Sequence, residues 1–279
     1  VTGDPDIAAL RGWIGRTETS ADMLTPRLLR AYAAMLDRAP EEDVAPLAVH
    51  WCLAPPTAQA AALGPDGHPA RGSFLPQVAL PRRMWAGGEL RFHDRLRAGD
   101  HVARTSRIAD VTVKEGKTGS LCFVTVEHET ASARGLAIRE RQDLVYRDRD
   151  AKPALAGVAP ARRRVARPAR WRREMRVDPV LLFRYSALTF NGHRIHYDRD
   201  YAVREESYPG LVVHGPLQAT WLLEYAAEIL GRPPAIFSFR GVSPLFDFEH
   251  FALCARQVET ELELWTDVDG APAMEARAR

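Results

Sequence analysis

The feature that most constrains this chain is a succession that occurs twice: an amphipathic helix, then a set of short runs with strand periodicity and turn residues between them. In the first half, Thr25 to Asp37 sets Leu28, Leu29, Tyr32, Met35 and Leu36 on one stripe, with Thr25 as N-cap and Pro26 as the first helical residue. A stretch rich in Ala, Pro and Gly follows from 53 to 82 and predicts a long surface loop. The apolar period then changes to two: runs at 88–92, 101–112, 120–130 and 136–146 carry strand residues, with turns at Ala98-Gly99-Asp100 and Glu115 to Gly119. In the second half, Val212 to Leu230 places Leu217, Trp221, Leu222, Tyr225 and Ile229 on one face of a segment with almost no charge, which predicts a helix buried nearly all round. Strand-like runs return at 236–241, 251–258, 260–268 and 272–278, with Asp269-Gly270 as a tight hairpin turn. No residue-level repeat links the halves, yet the order predicts two copies of one α+β fold.

A chain of 279 residues accommodates two such domains. The expected division is an N-terminal domain at 1–150, a Pro/Ala/Arg-rich linker at 151–176 and a C-terminal domain at 177–279. The linker arginines (Arg162, Arg163, Arg164, Arg167 and Arg170) read as a solvated connector, with phosphate groups as the alternative partner. A hydrophobic content of 46% and a net charge of +2 exclude disordered and fibrous classes and give no ground for a nucleic-acid or membrane partner. Cys52, Cys122 and Cys254 are far apart and form no C-x-x-C pair, so reduced, structural thiols are expected. The absence of a long apolar run or a basic-then-apolar leader points to a cytoplasmic protein, or one of the mitochondrial matrix in a eukaryote.

Chemistry concentrates between Phe183 and Gly215. Asn191, His193, Arg194, His196, Asp198 and Asp200 crowd together, and the next apolar run opens at His214-Gly215, the entry to the second helix. A histidine titrates near working pH and can carry a proton both ways. An asparagine takes no proton but can orient a water. The amide of Gly215 at a helix start is an unpaired donor at the positive end of the dipole, suited to an anionic oxygen, and a glycine lets a ligand approach closely. Such residues also serve as ordinary caps, so the arrangement rather than any one of them carries the functional reading. His193, His196 and His214 lack a cysteine or well-spaced carboxylate to complete a zinc site, and no metal is expected. Asp198 and Asp200 read as loop caps. Arg184 and Arg194 meet either solvent or an anionic part of a substrate.

The segments F-N-G-H-R-I-H-Y-D-R-D-Y-A (190–202) and Y-P-G-L-V-V-H-G-P-L-Q-A (208–219), set in this frame, resemble the MaoC-like hydratases and dehydratases. The nearest branch is the mesaconyl-CoA and itaconyl-CoA hydratases and the type 2 hydroxyacyl-thioester dehydratases. The resemblance is strongest from Tyr185 to Leu222. It implies an α+β double hotdog, each copy a long central helix wrapped by an antiparallel sheet, with the first copy degenerate and without catalytic residues. Laid on the family motif D-x-N-P-x-H-x-D, His196 takes the catalytic histidine, while Asn191 stands in place of the catalytic aspartate and His193-Arg194 in place of Asn-Pro. His214-Gly215 matches the His-Gly that opens the family's hotdog helix.

The implied function is a hydro-lyase acting on an acyl-CoA or acyl-carrier thioester, with His196 as acid and base, Asn191 positioning water and Gly215 as oxyanion donor. Arg184, Arg194, His193 and His214 would surround the substrate. No cofactor is implied beyond the CoA that belongs to the substrate. The wording of the motifs points to a branched dicarboxylic enoyl-CoA. The alternatives are a 3-hydroxyacyl-thioester dehydratase of fatty acid synthesis and, given the missing aspartate, a non-catalytic acyl-thioester binding protein. Two hotdogs in one chain can cover each other's sheet edge, so a monomer and a homodimer are both compatible.

Overall fold

The computed structural model describes residues 7–39, 43–116, 119–148 and 157–279. In chain order the first half contains α1 (Ile7–Arg11), β1 (Thr17–Met23), α2 (Pro26–Met35), β2 (Arg82–Phe92), β3 (His101–Gly116), β4 (Gly119–Ser132) and β5 (Gly135–Arg147). The second half contains β6 (Trp171–Met175), α3 (Pro179–Thr189), α4 (Arg199–Arg204), α5 (Gly215–Leu230), β7 (Ile236–Gly241), β8 (Phe251–Val258), β9 (Glu261–Val268) and β10 (Ala271–Ala278). All the strands join one antiparallel sheet in the order β1-β3-β4-β5-β2-β7-β10-β9-β8-β6. Replacing each strand of the first half by the one five later gives the second half read from the opposite edge, so the halves are two copies of one topology. They meet where β2 pairs with β7, Gly87 to Arg91 against Arg240 to Ile236.

Each copy begins with a strand that the sequence periodicity does not show. β1 and β6 are the two outer edges of the sheet, short and polar (TETSADM and WRREM), and largely exposed on both faces. A strand with no buried face has no reason to alternate.

The expected linker is corrected by the same observation. Residues 151–156 lie outside the described residues, but β6 falls inside the segment and belongs to the C-terminal sheet. Its arginines are neither solvated spacers nor free phosphate ligands throughout. Arg162 grips Glu249 with two nitrogens, at 2.5 and 2.7 Å, and both side chains are buried. Arg167 pairs with Glu275 at 2.6 Å and lies over the ring of Trp265, and Arg170 lies over Trp171. Arg163 and Arg164 are exposed.

The second correction concerns the central helices. Among the described residues, only the C-terminal copy has a long one. α5 buries Leu217, Ala219, Leu222, Leu223 and Ala226 completely and contacts β2 as well as β7 to β10. Each fully buried leucine contributes about 1.5–3 kcal/mol through apolar surface removed from water. In the N-terminal copy, α2 is ten residues long, follows the first strand and packs on α3, so in the order of elements it corresponds to α3 rather than to α5. Between α2 and β2 the described chain has only single 3-10 turns, at Val49–Cys52 and Ala60–Ala62. The prolines and glycines of 53–82 explain this, because they withdraw backbone donors and favour turns over a helix. Among the described residues the first copy therefore has no long apolar helix, and α5 is held to both halves: Tyr32 of α2 donates to Leu47 O at 3.3 Å and lies 3.4 Å from the hydroxyl of Thr220.

If the arginine segment is structural, Arg162→Ala leaves a buried Glu249 carboxylate without its cation and should lower stability by about 3 kcal/mol. Arg163→Ala should change it by less than about 0.5 kcal/mol. Urea denaturation of the two variants checks the difference.

Candidate active site

α3 delivers the chain to the site. Asp178 caps it, accepting the Leu181 N–H at 2.7 Å, and Pro179 starts it. It ends at Phe190, which takes a left-handed conformation with φ 51°, a geometry that costs a side-chain-bearing residue about 1–2 kcal/mol. The chain then turns sharply: Asn191 N–H donates to Ser186 O at 2.8 Å, and Asn191 Oδ1 accepts the His193 N–H at 3.0 Å. One 3-10 turn, Arg194–His196, follows before Asp198 caps α4 by accepting the Tyr201 N–H at 3.0 Å. This succession of turn and cap points the rings of His193 and His196 inward.

His196 is 7% exposed, and its Nδ1 lies 2.7 Å from Val212 O. A carbonyl can only accept, so Nδ1 carries the proton and Nε2 of the neutral ring is left with its lone pair. The ring stacks on His214 at 3.7 Å between centroids and 20° between planes, and meets His193 edge-on at 5.4 Å. His214 is wholly buried, with Nε2 2.9 Å from Ser186 Oγ and Nδ1 without a partner. Burial disfavours the charged form of each ring, and the neighbouring imidazoles add to it. His196 is pushed down to about 4, while His193 and His214 are pushed below the ordinary histidine range. At neutral pH the cluster is uncharged, and His196 is a base with one available nitrogen.

Gly215 opens α5 beside His214, and its N–H precedes the helical ladder. A Cβ there would meet only Trp85 O at 3.7 Å and Met274 Cε at 4.0 Å, both ordinary contacts. Packing within the protein therefore does not require glycine at 215.

The other sequence candidates separate. Asn191 sits in the site loop, but its carbonyl is committed to the turn, so its NH₂ is the group left to meet a ligand. Asp198 is the cap expected of it. Arg194 is occupied: two nitrogens meet Asp198 Oδ2, at 3.0 and 2.8 Å, a third meets Pro65 O, and the guanidinium lies over Tyr201. That arrangement braces the loop rather than receiving a substrate anion. Arg184 is exposed on the side of α3 turned away from buried Tyr185 and Ser186, apart from the imidazole cluster.

The N-terminal half also reaches the site, which the sequence reading did not foresee. The turn Gly64–His68 docks against the histidine loop: Arg194 N–H donates to Asp66 O at 2.9 Å, and Gly67 faces Gly192. Gly67 has φ 86°, and a Cβ on it would lie 1.9 Å from Gly192 O, so nothing larger fits. This contact brings His68 to 4.2 Å from the ring of His193, with His68 Nδ1 3.0 Å from Asp66 Oδ2. Among the described residues, Asp66, His68 and His193 form the group whose donor atoms could hold a metal ion, all within 4.8 Å of one another. A histidine in a turn-rich loop carries no periodic or motif signal. Glycines placed to let two backbones touch announce themselves only in three dimensions.

Two copies of a hotdog in one chain, with a buried histidine beside the first amide of the hotdog helix, define the class: a double hotdog protein of the MaoC-like hydratase and dehydratase kind. The chain belongs to the family described as Hydroxyacyl-thioester dehydratase type 2, which it matches over residues 48–247. It is 44% identical, over 95% of both chains, to the mesaconyl-C(4)-CoA hydratase of Chloroflexus aurantiacus. It is 30% identical to the mitochondrial hydroxyacyl-thioester dehydratase type 2 of Schizosaccharomyces pombe, over 78% of this chain and 80% of that one. Among solved structures, HtdX of Mycobacterium tuberculosis superposes with a TM-score of 0.68 at 19% identity, over 95% of this chain and 99% of that one. A MaoC-like dehydratase superposes with a TM-score of 0.70 at 15% identity, over 97% and 98%. At those identities the two structures speak for the fold, and the sequence relatives make this chain a hydro-lyase.

The glycine contact gives a test of the two-half site. Gly67→Ala should undock the 64–68 turn and lower kcat at least about ten-fold, since small displacements at a reacting centre are costly. Gly99 has the same φ of 86° with nothing within 4 Å of its Cβ position. Gly99→Ala should therefore strain the backbone without touching kcat, and steady-state kinetics of the pair separate strain from lost docking.

Proposed function

We propose that this hydro-lyase adds water to the α,β double bond of a short, branched dicarboxylic enoyl-CoA of the mesaconyl type, or removes it in reverse. The observation that carries the substrate class is the 44% identity, over nearly the whole of both chains, to a protein named for that reaction. The geometry supplies a route. Nε2 of His196 takes a proton from water as the oxygen bonds to the β-carbon, and negative charge passes through the α-carbon to the thioester oxygen. The N–H of Gly215 faces that oxygen and stabilises it, an interaction whose loss typically costs about 3–4 kcal/mol of barrier. The imidazolium then returns its proton to the α-carbon on the same face, which gives syn addition and restores the neutral ring. Asn191 contributes through its NH₂, donating to the water oxygen rather than accepting from it.

The free carboxylate of such a substrate needs a cation. Arg194 is engaged, whereas Arg83 of β2 pairs with no carboxylate among the described residues, and its charge acts on both His68 and His193. Arg83 stands on the same strand as Trp85, whose carbonyl lies beside Gly215. It is the residue we assign to the carboxylate. No cofactor beyond CoA is required for this chemistry. The cytoplasm, as a reducing compartment, suits three cysteines that are buried and free.

The test is loss of the enoyl-thioester absorbance with mesaconyl-CoA, itaconyl-CoA and crotonyl-CoA. Wild type should favour a dicarboxylic substrate, and His196→Ala should lose at least about 10³-fold in kcat, the size of a missing general base. Arg83→Leu should raise KM for the dicarboxylic substrate about ten-fold or more and leave crotonyl-CoA unaffected. A preference for long-chain 3-hydroxyacyl thioesters would instead select the dehydratase of fatty acid synthesis. Binding without turnover would select a binding protein.

A further inference from the structure

The proton that His196 takes creates a cation in a buried cluster of neutral rings. In the motif that this loop resembles, an aspartate stands nearby; here the position is Asn191, which bears no charge. A buried imidazolium without a counter-charge is expensive to form, as the depressed value of His196 already reflects.

A carboxylate whose charge acts on this cluster, at His193, comes from the other half of the chain. Asp66 is held against His68, Oδ2 to Nδ1 at 3.0 Å, and its second oxygen accepts the His68 N–H at 3.0 Å, so its orientation is fixed twice. His68 packs at 4.2 Å on His193, and His193 packs edge-on at 5.4 Å on His196. The row Asp66–His68–His193–His196 thus runs from a carboxylate to the base. The turn that carries Asp66 is pinned by the Gly67–Gly192 contact and by the bonds from Arg194 to Pro65 O and Asp66 O.

Beside this row stand Arg71 and Arg83, whose charges act on it, together with Tyr185, Tyr201, His214 and Arg194, the last paired with Asp198. Arg71 is turned to the carbonyls of Val78, Leu80 and Pro81. Two arginines beside the group, and a carboxylate already bonded to His68, argue against a metal cation as its occupant and for a role in charge balance.

We propose that Asp66 is a positioning residue of the reaction: it supplies from the N-terminal half the counter-charge that Asn191 no longer provides, stabilising through His68 and His193 the imidazolium that forms on His196. The copy that lost its own helix retains a part in the site. This rests on the hydro-lyase reading above and goes beyond it, since none of that reading's steps uses Asp66.

The experiment is steady-state kinetics of full-length Asp66→Asn, Asp66→Ser and Asp66→Glu with the preferred enoyl-CoA, with His196→Ala alongside and thermal melting to show that each is folded. The neutral replacements should lower kcat about 10- to 100-fold with KM within about three-fold. They should also move the acid limb of kcat/KM to lower pH, because removing a negative charge makes His196 harder to protonate. Asp66→Glu should recover most of the rate, and Asn191→Asp added to Asp66→Asn should restore part of it. A structural role would move the melting temperature and leave the limb where it is. Wild-type kcat and an unmoved limb in Asp66→Asn or Asp66→Ser, with His196→Ala inactive, would overturn this inference alone. So would Asp66→Glu as slow as Asp66→Asn, or Zn²⁺ that raises kcat in wild type and not in Asp66→Asn. A wild-type chain that hydrates no enoyl-CoA would remove the functional reading and this inference with it.

Discussion

α5 is buried from Leu217 to Ala226, and among the described residues the N-terminal half has no comparable helix to place against its sheet. That pair of facts organises the molecule. Ten strands close into one antiparallel sheet, and α5 lies against strands from both halves. The polar ties follow the same seam: Glu224 on α5 accepts the Leu47 N–H at 3.0 Å and pairs with Arg38 at 2.5 Å, joining the helix to the segment after α2. The N-terminal end of such a helix is the one place where its backbone has amide donors to spare. There the chain collects His214, Gly215 and, stacked on His214, His196, the base of the proposed reaction.

The two copies have diverged in what they bury. The 3-10 turn Val49–Cys52 follows α2 as the turn Arg194–His196 follows α3, and each carries a histidine. His50 is sealed: it is 2% exposed, with Nε2 3.4 Å from Glu140, a carboxylate that also accepts from the indole of Trp51 at 2.9 Å. His196 instead keeps Nε2 free by spending Nδ1 on a backbone carbonyl. Neither ring nitrogen of His50 makes a hydrogen bond among the described residues, and the carboxylate it faces is already engaged by Trp51, whereas a ring with one committed nitrogen is equipped to exchange a proton.

Much of this was legible in the residues. The inner strands announced themselves by alternation because each has one buried face, and α5 by its lack of charge. The motif at Asn191 to His196 and the His-Gly at 214–215 gave the family, and pointed to the loop in which the structure gathers His193, His196 and His214. What stayed hidden has physical reasons. β1 and β6 have no buried face to impose a period. Arg162 and Arg167 look like solvated linker charges until their partners, eighty and more residues away, are seen. The missing helix of the first copy was masked by α2, whose stripe is amphipathic but whose place in the topology is that of α3. Asp66 and His68 belong to a loop read as surface, and only the touching backbones at Gly67 and Gly192 carry them into the site.

The proposed chemistry depends on His196 staying neutral because burial holds its pKa below the ordinary histidine range. The pH dependence of kcat/KM for the preferred enoyl-CoA measures that in the free enzyme. The acid limb should lie near about 4, with no loss of kcat/KM as the pH falls from about 7 to about 5.5. A limb centred near about 6.5, the value of an unperturbed histidine, would contradict the buried neutral base on which the mechanism depends.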